Sequence, residues 1–291
     1  MKTYLDCFPC FLNQALRAAR MATSDERRIK KVIDDVGMML QDISLDSTPP
    51  ESGRLIYKKV HEITGNPDPY REIKGQSTRE ALVLYPHLKN LVEKSDDRLL
   101  TAIRIAIAGN VIDFGPNRPF DLKNEIDVNL TKDFGICDYD IFKNALNNSS
   151  EVLYIGDNAG ECVFDRILVE TLNKPVTYVV REKPIINDAT LEDALAAGMD
   201  KVAVLMSSGT DAPGTLLQTC SEAFTNVYHG AELIISKGQG NYEALSNQKE
   251  SIFFLLKAKC WVIADHLGLK EGDIVLKAAS MQRGITYDGR D

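Results

Sequence analysis

Apolar positions in the first 150 residues recur with the period of a helix. Leu12, Ala15, Leu16 and Ala19 fall at i, i+3, i+4 and i+7, one face of a 3.6-residue repeat, and Ile29, Val32, Ile33, Val36, Met39 and Leu40 continue the pattern. Leu55, Ile56, Val60 and Ile63 predict a third amphipathic helix, closed by the breaker run Gly65-Asn66-Pro67-Asp68-Pro69. Residues 77–94 predict two short helices around Pro86, and 98–113 a strongly apolar, buried one. No good strand-type alternation interrupts them, so 1–150 reads as a helical N-terminal domain.

From residue 151 the period changes. Short β-rich runs at Val152–Ile155, Val176–Val180, Val202–Leu205, Leu233–Ile235 and Ser251–Leu256 alternate with helical patterns near 160–173, 190–198, 213–226, 240–245 and 260–267. Continuous apolar strands separated by helices predict a mostly parallel sheet covered on both faces. The fold class is therefore α/β: a Rossmann-like sheet domain over 151–291 behind a helical domain over 1–150, with the boundary at the polar run Asn147-Asn148-Ser149-Ser150.

In such a sheet, ligands bind beyond the carboxyl ends of the strands, and the polar residues there are the candidates for chemistry. Gly156-Asp157-Asn158-Ala159-Gly160-Glu161 follows the first strand. Asp157 and Asn158 present two hard oxygen donors, the ligand type a divalent cation takes; read alone, either also suits a helix cap. Asp188, beyond the second strand, can face Asp157 across the crevice or cap the following helix. Ser207 and Ser208 open a glycine-bearing loop whose hydroxyls and backbone N–H groups can hold an oxyanion, or merely connect. Lys237 follows the fourth strand as a point charge for a phosphoryl group, or as an ordinary surface lysine. Neither G-x-G-x-x-G nor G-x-x-x-x-G-K-[ST] is present. Asn110 and Asp113, three apart at the end of the apolar helix, either bond locally or reach the cleft. Four polar loops at one sheet edge add up to a site.

Composition narrows the class. With 291 residues, 44% apolar and 26% charged, the chain fits a globular protein with a sizeable core. A net charge of −8 argues against nucleic acid as partner. The start lacks an apolar signal region and no apolar run is long enough to span a bilayer, so a cytoplasmic protein without a membrane partner is expected. Six cysteines are then expected as free thiols. Cys7-x-x-Cys10 has metal or redox spacing but only two of the four ligands of a structural zinc site.

Taken in order, Cys7-x-x-Cys10, Gly65-Asn66-Pro67-Asp68-Pro69-Tyr70, Ala108-Gly109-Asn110-Val111-Ile112-Asp113, Gly156-Asp157-Asn158-Ala159-Gly160-Glu161, Lys183-Pro184 through Asn187-Asp188, and Lys237-Gly238-Gln239-Gly240-Asn241 resemble the metal-dependent damage-control phosphatases, also catalogued as domain of unknown function 89. The CxxC resembles that of its mainly prokaryotic and archaeal subfamily. The resemblance implies a helical region packed on an α/β domain with a divalent cation (Mn, Ni, Co or Mg) between them. It carries the metal ligands to Asp157, Asn158 and Asp188, the phosphate-binding lysine to Lys237, and places Asn110 and Asp113 in the cleft wall. It also implies hydrolysis of phosphate monoesters of small metabolites, including damaged ones. Two other readings stand beside it: a non-enzymatic metal or redox binder using Cys7 and Cys10, and an S-adenosylmethionine-dependent carboxyl methyltransferase.

Overall fold

A computed structural model of the chain describes residues 1–109 and 130–279. Helices α1 (Cys7–Ala22), α2 (Glu26–Met39), α3 (Pro49–Thr64), α4 (Arg71–Glu93) and α5 (Arg98–Gly109) come first. Strand β1 (Phe134–Cys137) and helix α6 (Tyr139–Asn148) follow, then β2 (Val152–Ile155), α7 (Glu161–Leu172), β3 (Val176–Val180), α8 (Leu191–Ala196) and β4 (Val204–Ser207). The chain ends with α9 (Glu222–Gly230), β5 (Ile234–Lys237), α10 (Gln239–Leu245), β6 (Ile252–Lys257), α11 (Trp261–Leu267) and β7 (Ile274–Ala278).

The strands form one sheet in the order β1-β7-β6-β5-β2-β3-β4. From β6 to β4 every pairing is parallel; β7 runs antiparallel to β6, and β1 pairs parallel with β7. The chain steps outward from β2 through β3 to β4, then returns to place β5 on the other side of β2. That reversal creates a topological switch point between the carboxyl ends of β2 and β5, the crevice where open α/β sheets bind ligands.

Alternate strand residues serve opposite faces, as the pleat requires. Tyr154, Tyr178, Ile235 and Phe253 join a core with α4, α5, α6 and α7, whereas Leu153, Ile155, Val179, Ile234 and Phe254 join one with α9, α10 and α11. Burying each such side chain stabilises by roughly 1.5–3 kcal/mol. The mostly parallel α/β architecture and the helical N-terminal region stand as the sequence predicts. That region divides in function, however: α4 and α5 cover the sheet, while α1, α2 and α3 build a third core around Phe11, Ala15, Val32, Ile56, Tyr57 and Val60. Ile185, from the loop after β3, inserts into this third core, so the three helices form a roof over the site edge.

Three details differ from the sequence pattern. α4 is one helix of 23 residues running through Pro86, whose missing N–H removes one intrahelical hydrogen bond at an exposed position. β1 and β7 were not predicted, since Phe-Gly-Ile-Cys shows no usable alternation and β7 lies beyond the last recognised helix. The segment expected as a helix over 213–226 holds a short 3-10 turn at Leu217–Thr219 and a helix that begins only at Glu222. Asn110 and Asp113 lie outside the described residues.

Candidate active site at the strand switch point

Two strand-end loops are fastened together before any side chain is considered. The Ala189 N–H donates to Asp157 O at 2.7 Å, and the Ala159 N–H to Asn187 O at 2.9 Å, with Asn158 and Asp188 in a bridge pair. This short antiparallel contact brings Asp157, Asn158 and Asp188 together, which their separation of about 30 positions in sequence does not. Both aspartates are buried, at 8% and 4% exposure. Gly238, just past β5 with φ +81°, makes room for Asp157, because a Cβ there would lie 2.0 Å from Asp157 Oδ2. Any side chain at 238 would displace that carboxylate.

Burial, reinforced by the Glu161 and Asp188 charges, pushes the Asp157 carboxyl up to about 8. Asp188 is raised too, through burial, although Arg181 draws it back. The Asn158 amide donates to Asp157 Oδ2 at 3.0 Å and to Glu161 Oε1 at 2.5 Å, so its nitrogen is committed to the two acids.

Two buried cations set these acids in place. The Arg181 guanidinium, 1% exposed, donates from Nε to Asp188 Oδ2, from Nη1 to Thr215 Oγ1 and from Nη2 to Asn241 Oδ1, each at 2.9 Å. Asn241 in turn donates to Gly156 O and Lys237 O, tying the ends of β2 and β5. Lys237 is fully buried and donates to Asp165 Oδ1 at 2.6 Å and Glu161 Oε2 at 3.1 Å. Burial alone would lower its ammonium pKa; the two carboxylates more than offset that and hold it well above the ordinary lysine range. Asp165 also accepts from the hydroxyls of Tyr154 and Tyr178, each at 2.8 Å. A continuous network therefore runs from the two tyrosines through Asp165, Lys237, Glu161 and Asn158 to Asp157.

Of the residues singled out from sequence, Asp157, Asn158 and Asp188 are brought together, with Lys237 one residue away behind them, linked through Glu161. Ser207 and Ser208 lie farther along the same edge: Ser207 donates to Glu182, and the fully buried Ser208 donates to Val180 O at 2.9 Å. Cys7 and Cys10 occupy the first turn of the roof helix α1 as free thiols, both raised by burial. Cys10 Sγ accepts from Gln14, whose carbonyl accepts from Tyr57. Among the described residues no helix is long and apolar enough to cross a membrane.

Sequence reasoning passed over Glu161, Asp165, Arg181, Asn241 and Lys259 as site residues. A signal existed for the first two: acids four apart on the otherwise apolar face of α7 must point at the sheet and need partners there. Lys259, just past β6, is exposed and in no ion pair among the described residues, yet its charge acts on both Asp157 and Asp188. Helix α4 adds Lys74 and Ser77, which line a small pocket with Asn158, Gly160, Glu161 and Asn187.

Among the described residues no three His, Cys, Asp or Glu side chains form a ready metal cluster; two carboxylates and a carboxamide are a different donor set, all hard oxygen. Acids crowded in a buried crevice, with one proton held far above the carboxylate range, fit a hard divalent cation in place of that proton.

Fold and site together define a doubly wound α/β protein with an acidic, cation-suited site at its switch point. The chain belongs to the damage-control phosphatase ARMT1-like domain family, whose sequence profile matches residues 3–275. It is 37% identical over 282 residues to the damage-control phosphatase PH1575 of Pyrococcus horikoshii, covering 94% of this chain and 97% of that one. It is 34% identical over 286 residues to a damage-control phosphatase of Archaeoglobus fulgidus, covering 93% and 97%. A crystal structure of the Pyrococcus horikoshii protein, described as a duf89 family protein, superposes with a TM-score of 0.87 at 35% identity, covering 96% of this chain and 99% of that one.

Proposed function

We propose that the protein is a metal-dependent phosphatase that hydrolyses phosphate monoesters of small metabolites, sugar phosphates or damaged phosphometabolites, in a damage-control role. Its relatives' names support a phosphatase. The observation that carries the metal dependence is the convergence of Asp157, Asn158 and Asp188, with the Asp157 carboxyl pushed up to about 8 by burial and neighbouring acids.

In this reading Asp157, Asn158 and Asp188 hold the cation. Bound there, it supplies Lewis acidity toward a phosphoryl oxygen. Arg181 fixes Asp188, and the Lys237–Glu161 pair fixes Asn158, so the ligands are oriented before substrate arrives. Lys259, free and exposed, is the cation positioned to meet the incoming phosphoryl group; Lys237 acts from behind as the counter-charge to Glu161 and Asp165.

The test is turnover of p-nitrophenyl phosphate and a panel of sugar phosphates with Mn, Co, Ni or Mg. Asp157→Asn and Asp188→Asn are expected to lose about 100-fold or more in kcat while remaining folded. Undiminished metal-dependent activity in both variants overturns the site.

A further inference from the structure

Helix α1 carries two stripes. Phe11, Ala15, Ala18 and Ala19 face the third core, whereas Cys10, Gln14 and Arg17 recur at i, i+4 and i+7 and share a second, polar face. That polar face borders the site. Tyr57, buried on α3, donates from its hydroxyl to Gln14 Oε1 at 2.8 Å, and Gln14 Nε2 donates to Cys10 Sγ at 3.1 Å. Burial holds the Tyr57 phenol well above its ordinary range; the Asp188 charge adds to that and the Arg17 charge opposes it, so both act at this one hydroxyl. At the other end of the stripe the Cys10 thiol feels the charge of Cys260, which directly follows Lys259. The helix from Cys10 to Arg17 is about 10 Å long, at about 1.5 Å per residue. Arg17 and Lys259 therefore stand toward opposite ends of the crevice edge.

Arg17 is exposed and, among the described residues, in no ion pair or hydrogen bond, although acids outnumber Lys and Arg by 42 to 34 in the chain. A guanidinium offers a fork of N–H donors matched to a carboxylate or phosphate. Here that fork is open to solvent. We propose that Arg17 is a specificity-determining residue that binds a second anionic group, a carboxylate or a second phosphate, at the far end of the phosphate ester. The inference rests on the phosphatase reading above, with the scissile phosphoryl group at Lys259 and the acidic centre. The net charge of −8 and the acids of the site repel anions in general, so two cations set apart along the edge favour an ester charged at both ends. The substrate class is a linear phosphometabolite long enough to reach both, not the phosphate of a neutral alcohol.

Two matched pairs of esters test this, each assayed with the metal that best supports turnover. 6-Phosphogluconate and glucitol 6-phosphate differ by a terminal carboxylate, and fructose 1,6-bisphosphate and fructose 6-phosphate by a second phosphate. In at least one pair the wild-type kcat/KM is expected to be about tenfold or more higher for the doubly anionic member, the effect of one charge-assisted contact. The pair that shows the preference identifies the anion. Arg17→Gln is expected to bring that ratio close to one, mainly through KM, with the melting temperature unchanged as for an exposed substitution. Arg17→Lys keeps the charge without the fork and is expected to give an intermediate ratio. Calorimetry reads the same preference without turnover: 5-phosphonopentanoate or pentane-1,5-bisphosphonate, as that pair indicates, is expected to bind wild type about tenfold more tightly than pentylphosphonate does, and Arg17→Gln about equally. A preference absent from both wild-type pairs, or kept in full by Arg17→Gln, overturns the role of Arg17 while leaving the phosphatase standing. A wild type inert toward every ester and metal overturns both readings.

Discussion

Lys237 and Lys259 are two lysines near one acidic centre, and burial separates their roles. Lys237 has no exposure and two carboxylate partners, so removing its charge strands Glu161 and Asp165 in the interior. Lys237→Met is expected to destabilise by about 3–5 kcal/mol, the cost of breaking a buried pair on one side. Chemical denaturation measures that. Lys259→Ala is expected to leave stability within about 0.5 kcal/mol, as an exposed substitution should. It is expected instead to lower kcat/KM for phosphate esters by about tenfold or more, the loss of one charge-assisted contact. The opposite assignment of effects would make Lys237 the substrate contact. At this scale the sequence picks out Asp157, Asn158 and Asp188, which the fold brings together, because hard oxygens after apolar strands are conspicuous. It was silent on Arg181 and Lys259, which look like any charged loop residues until the fold buries one and exposes the other.

Elements were legible where their pattern was long or wholly apolar. β2 and β3 start and stop where the apolar runs do, and β5 and β6 do so within two residues. β4 begins two residues late, and β1, four residues long, has too few positions to show a period. α4 is the instructive case, because Pro86 reads as a stop and is overridden by packing of Ala81, Leu88 and Val92 on the common core. Since Pro86 itself is exposed, that packing holds the helix despite the proline and not because of it. Pro86→Ala restores a backbone donor and is expected to stabilise by about 1–3 kcal/mol. A lower melting temperature in that variant would mean the helix needs its proline.

For the molecule as a whole, the acidic site is expected to make stability depend on pH and, on the proposed function, on metal. Asp157, raised to about 8, and Glu243, raised to about 7 by burial, bind protons more tightly folded than unfolded. Their stabilising contribution is therefore complete below the ordinary carboxylate range, about pH 4. It is lost as pH rises through 7 to 8. Metal-free protein is expected to melt at a lower temperature at pH 8 than at pH 5. A cation needs the same carboxylate deprotonated, so Mn or Mg is expected to raise the melting temperature more at pH 8 than at pH 6. At one hundred times the dissociation constant the gain is about 2.7 kcal/mol. Scanning calorimetry over pH with and without metal decides; a metal effect that shrinks as pH rises contradicts the assignment.

Ile185 sits in the core of the roof helices, and the half-buried Ile186, packed against that core, holds a positive φ of +46° that a β-branched residue adopts only under constraint. Asp188 follows two residues later. The segment works as a short lever: one arm is clamped in the roof and the other carries Asp188, the metal ligand of the proposed function. Loosening the roof at a position as distant as Val32 or Val36 would therefore be transmitted to the cation site as a displacement of Asp188, giving metal affinity a mechanical dependence on helices that contribute no ligand of their own.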